Sequence, residues 1–226
     1  MTDAFGRMLL DGAAPEIVER DDGFIATSML DYFAPVRRWA PVERRALRFV
    51  RGRVLDVGVG AGRVALELQA RGRDVIAIDV SPGALEVARA RGVRDARLLA
   101  FEDVDASLGP LDTLVMFGNN FGLFGSPAKA RRLLRRLRPF VRRIVATSND
   151  PHGTEDPAHL AYQERNRALG RMSGQLRLRV RYRDLVGWFE YLIVSPEEMT
   201  EIVSGTGWSI RTLVRDEGSY YVAVLE

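Results

Sequence analysis

The residues able to do chemistry here stand where apolar runs end. Asp56 lies two positions before Gly58, and Gly58, Gly60 and Gly62 alternate through Val-Gly-Val-Gly-Ala-Gly-Arg, while Asp79 closes the next run, Val-Ile-Ala-Ile-Asp. Glycines let a backbone approach a ligand where side chains would obstruct it, and a helix N-terminus that follows them offers unpaired N–H groups. A carboxylate at the end of the second run suits ribose hydroxyls, so the set points to a nucleoside-containing ligand. The third glycine of a dinucleotide fingerprint, counted from Gly58, is replaced by Arg63, which weakens a dinucleotide reading. Asp56 points the same way, because a carboxylate there repels a pyrophosphate and favours a ligand ammonium. Later runs end in Asn119-Asn120 and in Asn149-Asp150-Pro151-His152. The amides offer donors and acceptors without taking up a proton, His152 is a candidate proton acceptor near neutral pH, and Asp150 is its rival.

These groups need a scaffold that brings strand ends together. The runs before Gly58, at 75–79, 96–100, 114–117 and 141–146 read as strands buried on both faces. Between them, Val64 to Ala70 suits a crossover helix, Ser81-Pro82 and Ser126-Pro127 start helices, and Gly92 ends one. In such an open alpha/beta sheet the carboxyl ends of the strands line one ligand crevice, so Gly58, Asn119 and the loop through His152 share an edge. Before the core, Phe5 to Leu10 suits a short helix, Asp21-Asp22-Gly23 a turn, and Glu43 to Val50 a lead-in helix. After it, 154–172 reads as an insertion with a helix, and Gln175 to Arg181 as a half-exposed strand whose arginines form a solvated face. Trp188 to Val194 pairs with that strand across Asp184 to Gly187. Ser195-Pro196-Glu197-Glu198 starts a final helix, and 208–215 and 219–225 form a terminal hairpin.

Val-Leu-Asp-Val-Gly-Val-Gly-Ala-Gly-Arg resembles the first motif of the class I S-adenosylmethionine-dependent methyltransferases. Ile78-Asp79 resembles their second motif and Leu-Asp-Thr-Leu-Val-Met-Phe at 111–117 their fourth, in matching order over about residues 50 to 148. The resemblance implies a Rossmann-like, seven-stranded, mostly parallel sheet with helices on both faces and an antiparallel last strand. It implies S-adenosyl-L-methionine as cofactor, with Asp56 and the glycine turn near the methionine moiety, Asp79 on the ribose and Val80 beside adenine. Phe101, Glu102 and Asp103 match the third motif less well and are expected to flank adenine, with Phe117 at the end of the fourth motif beside the cofactor. Segments ahead of the core often cover the cofactor in this family, so Tyr32, Phe33 and Trp39 are expected to line the acceptor pocket together with Asn119, Asn120 and Phe121. Relatives that methylate catechols hold a metal with an acidic ligand after the fourth strand. Asn119 stands there, so a metal-free site is expected.

Composition narrows the class. At 226 residues the chain suits one domain, here with 1–50 as a cap and lead-in helix and 154–194 as a substrate-cap insertion. It has no cysteine and hence no disulfide or thiolate chemistry, and no apolar run long enough to cross a bilayer. A cytoplasmic protein is expected. Lys129 is the only lysine among 33 basic residues, and 30 acids are interspersed for a net charge of +3. That is a distributed surface rather than a nucleic-acid footprint, and Arg131 to Arg138, alternating with Leu133, Leu134 and Leu137, reads as an amphipathic helix.

The expected activity is methyl transfer to oxygen or nitrogen of a small molecule, with His152, Asn119 and Asp150 as candidate catalytic groups. An RNA or DNA methyltransferase is one alternative, although no Asn-Pro-Pro-aromatic signature follows the fourth strand. A noncatalytic S-adenosylmethionine-binding or assembly module is the other. Nothing in the sequence sets an oligomeric state.

Overall fold

The fold was obtained as a computed structural model that describes residues 3–12, 16–28, 31–183 and 185–226. Its central sheet has seven strands. They are β3 (Arg53–Val57), β4 (Asp74–Asp79), β5 (Ala96–Leu98), β6 (Thr113–Met116), β7 (Ile144–Asn149), β10 (Ile210–Arg215) and β11 (Tyr220–Leu225), in the order β10-β11-β7-β6-β3-β4-β5. β3 pairs parallel with β4 and β6, β4 with β5 and β6 with β7, whereas β11 runs antiparallel to β7 and β10. The strand order therefore reverses at β3 and β6, and the crevice of such a sheet opens at that point, outside their carboxyl ends.

Burial follows the pleat. Leu55, Val57, Ile76, Ile78, Leu114 and Met116 face one layer with α5 (Pro127–Leu137) and α7 (Pro196–Val203). Val54, Val75, Ala77 and Val115 face the other, with α2 (Pro41–Ala46), α3 (Arg63–Ala70) and α4 (Pro82–Ala90). Because side chains alternate along a strand, Asp56 and Asp79 fall on this second face, beneath the start of α3. Helix starts are fixed locally. Ser81, Ser126 and Ser195 each cap a helix that opens with proline, and Ser195 and Glu198 form a reciprocal capping box. α6 (Pro157–Ala168) starts the same way from Asp156.

The sequence reading found only half of a second sheet, the pairing of the strand from Gln175 with the one after it. β1 (Glu16–Arg20), β2 (Ile25–Ser28), β8 (Gln175–Tyr182) and β9 (Leu185–Leu192) form an antiparallel sheet in the order β2-β1-β8-β9. The N-terminal segment and the 154–194 insertion thus contribute two strands each to one sheet. β9 starts three residues earlier than expected and leaves a tight connection, of which Asp184 lies outside the described residues. α1 (Ala4–Leu10) packs Met8 and Leu9 with Tyr182 of the cap and with Ala84 and Val87 of α4. Asp3 secures it: its carboxylate accepts from Gly6 N at the start of α1, and from Ser81 Oγ and Gly83 N at the start of α4. The lead-in helix covers Pro41–Ala46 and tightens into a 3-10 turn at Leu47–Phe49, a shift of two residues from the expected start because Pro41 occupies the first helical position.

Candidate functional site

The turn after β3 is left-handed at three places, with φ of 74° at Gly58, 52° at Gly60 and 83° at Gly62. Only glycine adopts such a series without strain. A Cβ added at Gly58 would lie 2.6 Å from Asn120 Nδ2 and one at Gly62 2.7 Å from Val93 Cγ2. Gly60 differs, since a Cβ there meets nothing nearer than Tyr32 Cδ1 at 3.6 Å and Phe5 Cζ at 3.8 Å. The turn is therefore tightly packed on both flanks and loosely covered, by Tyr32 and Phe5, in its middle. The Asp79 carboxylate accepts from Gly60 N and from Ser81 N, each at 3.0 Å, which locks the turn to the end of β4. Burial raises its pKa against those backbone donors. Beside it, Val80 is 62% exposed, an uncovered apolar side chain at the crevice edge.

Asp56 is buried, and its Oδ2 has no hydrogen-bond partner. Burial pushes its pKa up to about 7, although Arg63 and the Ala65 N–H favour the charge. An unpaired buried carboxylate oxygen is costly unless a ligand donor meets it. Arg63, in the place of a dinucleotide-type third glycine, does not supply that donor. Its guanidinium bonds both oxygens of Glu43, at 2.9 and 3.0 Å, and stacks 4.6 Å from the Trp39 ring. Glu43 also accepts from Gly118 N and from the Tyr220 hydroxyl, both at 2.8 Å. One buried carboxylate thereby ties α2, α3, the loop after β6 and β11 together. Sequence reasoning missed this network. The only local signal was Arg63 itself, because Glu43 looks like any acid in a helical first turn.

On the other side of the turn, Asn120 Nδ2 donates to Val57 O at 2.8 Å and to Gly58 O at 3.3 Å. Asn119 beside it donates its N–H to Thr147 Oγ1 at 2.6 Å, and its carbonyl accepts from the Tyr191 hydroxyl of β9 at 2.6 Å. Its Oδ1 is buried without a partner. Two unpaired oxygens, one from Asp56 and one from Asn119, thus belong to segments that meet at the glycine turn. Tyr32 closes that turn from above, its ring edge-on to Phe5 with centroids 5.2 Å apart.

Residues 54–143 match the family model described as a methyltransferase domain. A demethylmenaquinone methyltransferase of Clavibacter sepedonicus is 35% identical over 119 residues, 50% of this chain and 48% of that protein, so the chain spans about half the length of that relative. A methyltransferase from Bacteroides fragilis, solved with S-adenosyl-L-homocysteine, superposes with a TM-score of 0.83 at 26% identity, covering 100% of this chain and 94% of the other. Residues 54–143 thus carry a methyltransferase domain, and the whole chain shares the fold of an S-adenosylmethionine-dependent methyltransferase. The chain also shares its fold with the CcbJ methyltransferase from Streptomyces caelestis, at a TM-score of 0.61 and 17% identity over 86% of this chain and 97% of that one.

Several residues singled out in the sequence stand elsewhere in the structure than expected. His152 has a side chain 46% exposed and sits on a turn, its Nε2 3.2 Å from Glu198 Oε1 of α7. Asp150 spends an oxygen on the His152 N–H, making that turn. None of the described contacts of either residue is to Asn119, Asn120 or the glycine turn. Phe121 is fully buried against Phe124 in the layer facing α5, because the 3-10 turn at Asn120–Phe124 directs it inward. Trp39 is likewise buried, edge-on to Phe117 with its indole N–H on Ala34 O, and so forms the floor rather than the wall. Phe33 is exposed under Arg91. Phe101 packs on Phe124, while Glu102 is ion-paired with Lys129. Among the described residues no group of three acids and histidines is placed to hold a metal, and no helix is long and apolar enough to cross a membrane.

Proposed function

We propose that this chain binds S-adenosylmethionine at the glycine turn and transfers its methyl group to nitrogen or oxygen of a small molecule. The observation that carries the reading is the buried, unpaired Asp56 Oδ2 beside a left-handed glycine turn that only side chains of Tyr32 and Phe5 cover at Gly60. A ligand that puts an ammonium against a carboxylate and runs its chain over a side-chain-free backbone satisfies both. In this reading Asp56 holds the ammonium, Gly58, Gly60 and Gly62 cradle the methionine chain, and Asp79 takes the ribose hydroxyls. Val80 borders the adenine, and Phe117 backs the site. The sulfonium supplies the activated methyl, so the protein has to align the acceptor and exclude water. Tyr32 and Phe33, with Asn119, Asn120 and Tyr191 of the cap, form the acceptor side.

A small acceptor is supported by the second sheet, whose β9 packs on the loop after β6 through Tyr191, and by the demethylmenaquinone methyltransferase among the relatives. Isothermal titration should show S-adenosylmethionine and S-adenosylhomocysteine binding in preference to NADH. Labelled methyl should then enter the low-molecular-weight fraction of a source-organism extract, independently of nuclease treatment. Nuclease-sensitive label in macromolecules would establish an RNA or DNA acceptor instead, and binding without transfer would establish a noncatalytic module.

A further inference from the structure

Among the described residues only Asn119 and Arg183 have positive φ without being glycine, and Asn119 follows the left-handed Gly118. A glycine at 119 would adopt the same backbone with less strain. The bonds that hold the loop use only its main chain: the N–H on Thr147 Oγ1, and the carbonyl under the Tyr191 hydroxyl and Gly122 N. The side chain is thus dispensable for the turn, yet it is present with Oδ1 buried and unpaired. Asn120 stitches this loop to Gly58, so Asn119 stands next to the donor site and under the cap strand at once.

Apart from Asp56, which the methyl-transfer reading gives to the cofactor ammonium, the proton-accepting groups nearby are engaged. Glu43 accepts from Arg63, Gly118 N and Tyr220, and the Tyr220 hydroxyl is held protonated by burial and by that carboxylate. Asp150 and His152 are committed to their own turn and to Glu198. A hydroxyl acceptor needs a base to take its proton, whereas a neutral amine attacks with the lone pair it already has.

We propose, building on the methyl-transfer reading, that the acceptor is a neutral amine whose N–H donates to Asn119 Oδ1. The bond orients the nitrogen lone pair toward the methyl group. The nitrogen forms the new N–C bond as the C–S bond breaks, with its electron pair going to sulfur. Nitrogen takes over the positive charge, and the product ammonium releases its proton to water. Tyr191 acts as a positioning residue, since its hydroxyl fixes the Asn119 carbonyl and so the direction of the amide.

The test uses the full chain, S-adenosylmethionine with a deuterated methyl, and the low-molecular-weight filtrate of a source-organism extract, with products located by mass spectrometry. The label is expected on nitrogen. The parent amine, titrated into the S-adenosylhomocysteine complex, is expected to bind at least about tenfold more weakly to Asn119→Gly than to wild type, as loss of one hydrogen bond gives. Glycine accepts the left-handed backbone, so affinity of that variant for S-adenosylhomocysteine should stay within about twofold. In Asn119→Asp a carboxylate favours the protonated amine, and the rising limb of kcat against pH should move up by about one unit. Label on oxygen or carbon, parent binding unchanged in Asn119→Gly, or an unmoved limb in Asn119→Asp overturns the amine proposal and leaves methyl transfer standing. Absence of label from every small molecule overturns the small-molecule reading and this proposal with it.

Discussion

Replacing Asp56 with asparagine keeps the shape of the side chain and an acceptor for the Ala65 N–H while removing the charge. The carboxyl is raised from 3.8 to about 7, a difference of about 3 units or about 4 kcal/mol between folded and unfolded ionisation. The unfolded chain loses this proton near the ordinary value and the folded protein only near 7. Between those limits the folded state holds one more proton, so stability from this group is full at low pH and falls as pH rises, with the loss complete above 7. Urea unfolding of the unliganded protein at pH 4 and pH 8 should show the difference between Asp56→Asn and wild type shifting by about 2 to 4 kcal/mol in favour of the variant. Asp79 is raised in the same sense and is present in both proteins, so the difference between the two curves isolates Asp56. The same substitution should weaken S-adenosylmethionine binding, and wild-type affinity should climb as pH passes through 7. Parallel stability curves for the two proteins would refute the argument that this carboxylate is buried for a ligand rather than for the fold.

Asp79→Ala should weaken S-adenosylhomocysteine binding by about 1 to 3 kcal/mol in isothermal titration, since charged hydrogen bonds to the ribose and the lock on Gly60 N are lost together. Glu43→Ala leaves Arg63 buried without its partner and should cost about 3 to 5 kcal/mol in chemical denaturation. In Gly122→Ala the new methyl would fall 2.2 Å from the Tyr191 ring. Thermal unfolding should register about 1 to 3 kcal/mol of overpacking, and KM for the acceptor should rise as the cap strand is pushed away. His152→Ala removes only an exposed pair with Glu198, so kcat should stay within about twofold and stability within about 1 kcal/mol.

The parallel core was legible because strands buried on both faces leave continuous apolar runs, and the glycine turn because its backbone forbids side chains. Helix starts were legible from Ser-Pro pairs, whose capping is local. β7 was displaced in the reading. Val141 makes only an isolated bridge to Leu111, and the strand continues through Thr147 and Ser148, polar residues buried because β11 pairs with them. β1 was invisible, since Glu16, Glu19 and Arg20 hide its pattern and Glu19 is buried only through Arg179 and Arg181 of β8. On the donor side the sequence placed Asp56, the glycines and Asp79 together, because strand ends in a parallel sheet converge by topology. On the acceptor side it had only residue types to go on. It therefore named His152, Asn119 and Asp150 together, and of the three the structure sets Asn119, with its unpaired oxygen, beside the turn.

The pairing of β1 with β8 joins residues 160 positions apart, as between Glu19 and Arg179. Contacts that close so long a loop form late, because its closure entropy opposes them until the rest of the chain has been ordered. During synthesis β1 and β2 leave the ribosome first and then wait for β8, while the parallel strands β3 to β7 have one another in hand and lack only β11 on the outer edge of β7. The emerging chain therefore builds the floor of its crevice before its roof, and in that interval the strand edge of β1 that β8 will cover has no cover.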